Sequence, residues 1–116
     1  MQLRPNFTVE ELSCPCCGEC NMDNEFMDKL QELRESCGFG FKVTSGYRCE
    51  KRNKAVSKKS RGQHSMGLAV DISLTDRYKR RKLFDGPLDY FRDIAIGKNF
   101  IHLGHGSNKK GLGVYA

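Results

Sequence analysis

The sequence predicts an α+β domain built as a small antiparallel sheet flanked by helices. Three observations lead there. The 116 residues are one domain's length. One stretch repeats apolar residues at the helical period, while several short ones alternate or run apolar as strands do. The two kinds follow one another without the regular βαβ alternation of a parallel sheet.

Taken in order, residues 1–21 read as an irregular, Cys-rich segment packed on the single domain of residues 1–116, centred on Cys14-Pro15-Cys16-Cys17-Gly18-Glu19-Cys20. Phe26, Leu30, Leu33 and Cys37 then fall at i, i+4, i+7 and i+11, one face of a helix. Asp23 is placed to cap its start and Gly38 to end it. Residues 41–44 alternate apolar and polar as a strand, and Ser45-Gly46-Tyr47 turns the chain out of it. Residues 49–57 read as a short basic helix and 57–62 as a loop. Residues 68–72 read as a buried strand and 75–84 as a second main helix. Gly86-Pro87 breaks that helix, with Leu88 and Phe91 continuing its apolar face. Residues 100–103 and 112–115 supply two further strands.

Composition narrows the function classes. No apolar run approaches the ~20 residues of a membrane span, and seven Phe and four Tyr are enough aromatic bulk to build a core. Met1-Gln2-Leu3-Arg4-Pro5-Asn6 has no apolar run, so no secretory signal is expected and synthesis in the host cytoplasm is. In a reducing compartment the six cysteines read as thiols or metal ligands rather than a disulfide framework. Lys and Arg number 20 against 14 Asp and Glu, a net +6. They cluster at Lys51, Arg52, Lys54, Lys58, Lys59 and Arg61, and again at Arg77, Lys79, Arg80, Arg81 and Lys82. Such runs are ordinarily solvated faces, but this excess draws anionic partners at low salt. The anionic cell envelope suits it better than nucleic acid, because no nucleic-acid-binding motif is present and no aromatics interleave with the runs. A monomer is expected.

Chemistry centres on the histidines. His64 precedes the strand that carries Asp71, and Gly67 between them permits a close return. His102 lies in an apolar strand, where leaving it unpaired costs ~1–3 kcal/mol. Two imidazoles and one carboxylate make a three-ligand zinc site with a fourth position open to water. On residue types alone, a loop histidine and a satisfied core histidine remain the plainer reading.

The longer pattern changes that weighting. Ser45-Gly46-Tyr47-Arg48, then Asn53 and Val56, then His64-x-x-Gly67-x-Ala69-x-Asp71-Ile72, then Phe100-Ile101-His102 resembles the D-alanyl-D-alanine carboxypeptidase family of zinc peptidases. That family includes phage peptidoglycan endopeptidases and shares its fold with the hedgehog signalling domain. Asn6-Phe7-Thr8-x-x-Glu11-Leu12 and the Cys-Cys-Gly turn resemble its small phage members. The resemblance implies Zn2+ on His64, Asp71 and His102, with Arg48 facing the substrate's carboxylate or scissile carbonyl, as a planar guanidinium fork allows. It implies a zinc peptidase acting on peptidoglycan stem peptides, as carboxypeptidase or endopeptidase, at the cell wall after release or within a virion.

Two departures from the family pattern stand out. Gly62 replaces the usual serine two residues before His64, so Gln63 is expected to take over its contact with substrate. The family's general base is a carboxylate three residues before the last zinc histidine or two after it, and here those positions hold Asn99 and Gly104. His105 is then the first choice for the base and Asp93 the second. Their weakness keeps a second reading open, a non-catalytic wall-binding or virion structural domain. Among the cysteines, Cys14-x-x-Cys17 has the spacing of a metal knuckle, as does Cys17-x-x-Cys20. Cys37 or Cys49 would complete a second metal site or a disulfide, and buried free thiols are the third alternative.

Overall fold

The computed structural model describes residues 2–57, 63–86, 88–105 and 111–114. Strand β1 (Gln2–Arg4) pairs antiparallel with β2 (Phe7–Thr8), and α1 (Val9–Leu12) follows at once. Thr8 starts α1 through a reciprocal capping box: the Glu11 N–H donates to Thr8 Oγ1 at 3.2 Å and the Thr8 N–H donates to Glu11 Oε1 at 2.8 Å. The N-terminal segment therefore has regular elements up to Leu12, while its Cys-rich part, residues 13–21, holds only turns as read, and the segment feeds the core with Phe7, Leu12 and Cys14. Its elements are too short for periodicity to reveal, although Thr8-x-x-Glu11 spelled the cap.

Helix α2 (Asn24–Cys37) begins where Asp23 accepts the Phe26 N–H at 2.9 Å and ends at Gly38 in the left-handed region. Its buried face, Phe26, Met27, Leu30, Leu33 and Cys37, forms one cluster with Val70, Ile72, Ile101 and Leu103 of the sheet. Each large side chain so buried contributes roughly 1.5–3 kcal/mol over its exposed state. Strand β3 (Lys42–Ser45), α3 (Glu50–Ser57), a 3-10 turn (His64–Met66) and β4 (Ala69–Ser73) follow. Helix α4 (Arg77–Phe84) starts after Asp76, which accepts the Lys79 N–H, so it opens later than residue 75. Phe91 joins the core as read, along with Leu83 of α4, while the side chain of Leu88 lies outside the described residues. Pro87 lies outside the described residues, as do most of the 57–62 loop and Gly62.

A second 3-10 turn (Leu88–Tyr90) leads into β5 (Asp93–Ile96), then β6 (Phe100–Gly104) and β7 (Gly111–Val114). The strand order is β3-β4-β6-β5-β7, antiparallel except for the parallel β5–β7 pair. Strand β5 is absent from the sequence reading. Ile94 and Ile96 alternate for only one cycle, and the strand exists because a tight turn folds it onto β6, with the Gly97 N–H donating to Phe100 O at 2.8 Å. Tyr115, assigned to the last strand, lies outside the described residues.

The pleat separates core from chemistry. Val70 and Ile72 of β4, and Ile101 and Leu103 of β6, face α2, while Asp71 and His102 face the other way. Gly67 locks the approach to β4. Its φ is +72°, its carbonyl accepts the Asp23 N–H at 3.0 Å, and a Cβ there would strike the Asn21 carbonyl. Gly67→Ala is therefore expected to cost roughly 2 kcal/mol or more. Urea denaturation should show this as a lower midpoint at unchanged slope, and a midpoint equal to wild type would contradict the packing described.

Candidate metal centre

Three short pieces of chain build the centre. Asp71 and His102 are directly opposed in the β4–β6 ladder. His64 opens the 3-10 turn and is buried, at 6% exposure. His64 Nε2 lies 3.4 Å and His102 Nδ1 2.8 Å from the same oxygen, Asp71 Oδ1. One ligand atom from each of the three residues falls within 4.8 Å of the others.

The outer faces of the imidazoles fix which nitrogens point inward. His64 Nδ1 is 2.8 Å from the Gly46 carbonyl, which can only accept, so Nδ1 carries the proton and Nε2 turns its lone pair to Asp71. Gly46 itself tolerates no side chain, because a Cβ would come within 2.8 Å of the Leu12 backbone. At His102 the partner is Gln63. Its amide N–H donates to Asp93 Oδ2 at 2.7 Å, so its Oε1 faces His102 Nε2 at 3.2 Å and accepts the proton there. His102 Nδ1 is left with a lone pair aimed at Asp71. Two lone pairs and a carboxylate oxygen thus converge, an arrangement that a cation stabilises and that fits zinc's preference for nitrogen and oxygen donors.

Asp71 is suited to the role. Burial alone would raise its pKa, but without a metal the His102 and His64 rings, when protonated toward it, donate hydrogen bonds and positive charge that outweigh burial and hold it well below the usual carboxylate range; a bound cation would take the place of those protons and meet the lone pairs instead. Its second oxygen, Oδ2, accepts from Arg48 Nη2 at 3.2 Å. Arg48 also donates through Nε to Ser45 Oγ at 3.0 Å and approaches Asn53 Oδ1 at 3.5 Å. The structure therefore ties Arg48 and Gln63 to the candidate ligands, Arg48 to Asp71 and Gln63 to His102, where sequence placed both at the substrate.

The two alternatives for the base separate. His105 Nδ1 lies 2.6 Å from the Tyr90 carbonyl and its ring stacks on Tyr90 at 4.2 Å. Asp93 Oδ2 lies 3.6 Å from His102 Nε2. Asp93 is paired in register with Gly104, and a Cβ on Gly104 would collide with the Gln63 amide and come within 3.0 Å of His102 Nε2. A carboxylate thus reaches the flank of His102 from the neighbouring strand, in place of one at position 104. Sequence alone could not show this, since β5 and its register were not legible. Asn99 sits in the turn before β6, its carbonyl taken by the Leu74 N–H.

The cysteines fall into two groups. Cys14, Cys17 and Cys49 bring their sulfurs within 4.8 Å of one another. Cys37 stands apart, contrary to its reading as a partner for Cys14 or Cys17: its thiol is buried at the end of α2 and bonded to the Arg34 and Phe39 carbonyls. Burial raises the Cys14 pKa, but the backbone N–H groups of Cys49, Cys17 and Cys16 more than offset it and bring it down to about 7. A cavity of about 620 Å³ runs from this group to Arg48, lined also by Glu10, Ser45, Gly46 and Arg52.

Of the basic residues, Lys51, Arg52, Lys54, Arg77, Lys79, Arg81 and Lys82 are exposed. Arg80 is structural, donating to the Leu74, Gly97 and Lys98 carbonyls. Lys58, Lys59 and Arg61 lie outside the described residues. Among the described residues no helix is long and apolar enough to cross a membrane.

A family model described as Peptidase M15 matches residues 5–104, a span that contains all three candidate ligands, Arg48, Gln63 and Asp93. No curated protein matches the chain.

His102→Ala should remove one equivalent of tightly held zinc, read by elemental analysis after dialysis against a weak chelator. Arg48→Ala should keep that equivalent but weaken it about 10–100-fold, the usual effect of losing a partner that orients a ligand, read by competition with a chromophoric chelator. Unchanged affinity in Arg48→Ala would show that the Arg48–Asp71 contact does not orient the ligand.

Proposed function

The chain belongs to the peptidase M15 family, and on that premise we propose that it is a zinc-dependent peptidase that cuts peptidoglycan stem peptides in the manner of a phage endolysin. The observation that carries this reading is the convergence of His64, Asp71 and His102 on one point, with Arg48 on the same carboxylate; Arg48, but none of the three, also lines a groove of about 620 Å³. Zinc bound there would supply a Lewis acid that polarises a scissile carbonyl and acidifies water.

The chain's own residues do the rest. His64 and His102 are held in one tautomer each by Gly46 O and Gln63 Oε1, so both present their lone pairs without rearrangement. Arg48 spends one N–H on Asp71 and lines the groove. Its remaining Nη N–H groups are proposed to receive the carboxylate of a stem peptide. Gln63, bonded on both sides, is proposed to hold Asp93 and His102 together rather than to touch substrate. Asp93 is the proposed base. It is 42% exposed in its side chain and reaches the ligand flank from β5. It takes the proton of the attacking water, through one further water, and returns it to the leaving amine. The exposed lysines and arginines of α3 and α4 favour approach to an anionic wall.

Purified peptidoglycan is the direct substrate. Incubation with zinc-loaded protein should release new free amines, and mass analysis of the fragments identifies the bond cut. If protein with its histidine site filled releases nothing, a non-catalytic wall-binding or virion structural role replaces this one.

Asp93→Asn should lower kcat by about 10²–10⁴-fold with zinc content and affinity unchanged. His105→Ala should stay near the wild-type rate, because its ring is engaged with Tyr90. A large loss in His105→Ala with none in Asp93→Asn would reverse the assignment.

A further inference from the structure

A second set of ligand-type side chains converges away from the histidines, where the N-terminal loop meets the start of α3. Cys14 Sγ lies 3.7 Å from Cys49 Sγ, and Cys17 Sγ is within 4.8 Å of both. Two thiolates sharing one zinc at ~2.3 Å sit about 3.8 Å apart, along the edge of a tetrahedron. The loop is shaped to present them. It closes with the Gly18 N–H donating to Cys14 O at 2.8 Å and the Cys14 N–H to Glu19 O at 2.7 Å. The Cys49 N–H points at Cys14 Sγ from 3.5 Å, and those of Cys16 and Cys17 point at it too. N–H groups aimed at a sulfur stabilise a thiolate, the form that binds metal. The exposed Cys16 thiol lies just outside this group of three; its contact with Cys49 raises its pKa, and the nearby Lys51 partly offsets that.

We infer that Cys14, Cys17 and Cys49 bind a second, structural zinc ion, with Cys16 beside them for the fourth position. A disulfide would join two of these sulfurs and leave the others crowded against it, whereas a tetrahedral ion uses all four. Cys20 is turned elsewhere, packed against the hydrophobic core. The ion would tie the loop of residues 14–18 to Cys49, the residue after Arg48. It would thereby fix the wall of the groove that Cys14, Pro15, Gly18 and Arg48 share. This site stands whether or not the histidine centre cleaves peptides.

The test uses His102→Ala protein, which isolates the cysteine site, prepared without air and loaded with cobalt(II). The expected result is one cobalt per chain with intense near-ultraviolet thiolate-to-cobalt charge-transfer absorption. The band should vanish in His102→Ala/Cys17→Ser and in His102→Ala/Cys49→Ser. Cys17 is exposed, so its serine variant should keep the far-ultraviolet circular dichroism of the parent while losing the metal. Absence of the band with all six thiols freely reactive would overturn the proposal. So would a Cys14–Cys49 disulfide found by peptide mapping of the air-free protein.

Discussion

The Asp71 carboxylate is the point on which the rest of the site turns. One oxygen faces both histidines and the other faces Arg48. A carboxylate so enclosed stays ionised only because positive or proton-donating groups surround it. Its position follows from the sheet: β4 pairs with β3 on one side and β6 on the other, so Asp71 is held between Ser45 and His102 in the ladders. The apolar residues on either side of it, Val70 and Ile72, anchor the strand to α2 and fix which way it faces. A one-residue slip would bury Asp71 against α2 and expose those two side chains.

Much of this was legible in the sequence where a physical period was long enough to read. The stripe from Phe26 to Cys37 gave α2 within a few residues, and Asp23 and Gly38 marked its ends. The apolar runs around Asp71 and His102 gave β4 and β6. That these two residues stand opposite each other is a matter of register, which the spacing does not encode, and the family resemblance supplied it. The N-terminal hairpin and β5 are too short, at two to four residues, to show a pattern; β7 is legible as a strand, but its parallel pairing is not, because its partner β5 is not. The cysteines were legible as a cluster but not as a geometry. Cys49 joins the group and Cys37 does not, because α2 carries Cys37 into the core.

The pairing of Gly104 with Asp93 shows how a sheet can bring a carboxylate from one strand to a side chain of the next. The family pattern places a carboxylate on the ligand strand, and here glycine holds that position. The space is filled by Gln63, whose amide spans from His102 to Asp93 across the ladder. Cross-strand neighbours lie about 5 Å apart, so a carboxylate moved from one strand to its partner still reaches the same imidazole. Reading position by position along one strand therefore misses a carboxylate that the neighbouring strand brings alongside.

A crystal of zinc-loaded protein, measured on both sides of the zinc absorption edge, tests the central claim most directly. The account predicts an anomalous peak bounded by His64 Nε2, Asp71 Oδ1 and His102 Nδ1, with Arg48 still on Asp71 Oδ2. Well-ordered density for these three side chains with no peak between them, or a peak bound through His102 Nε2 instead, would contradict it.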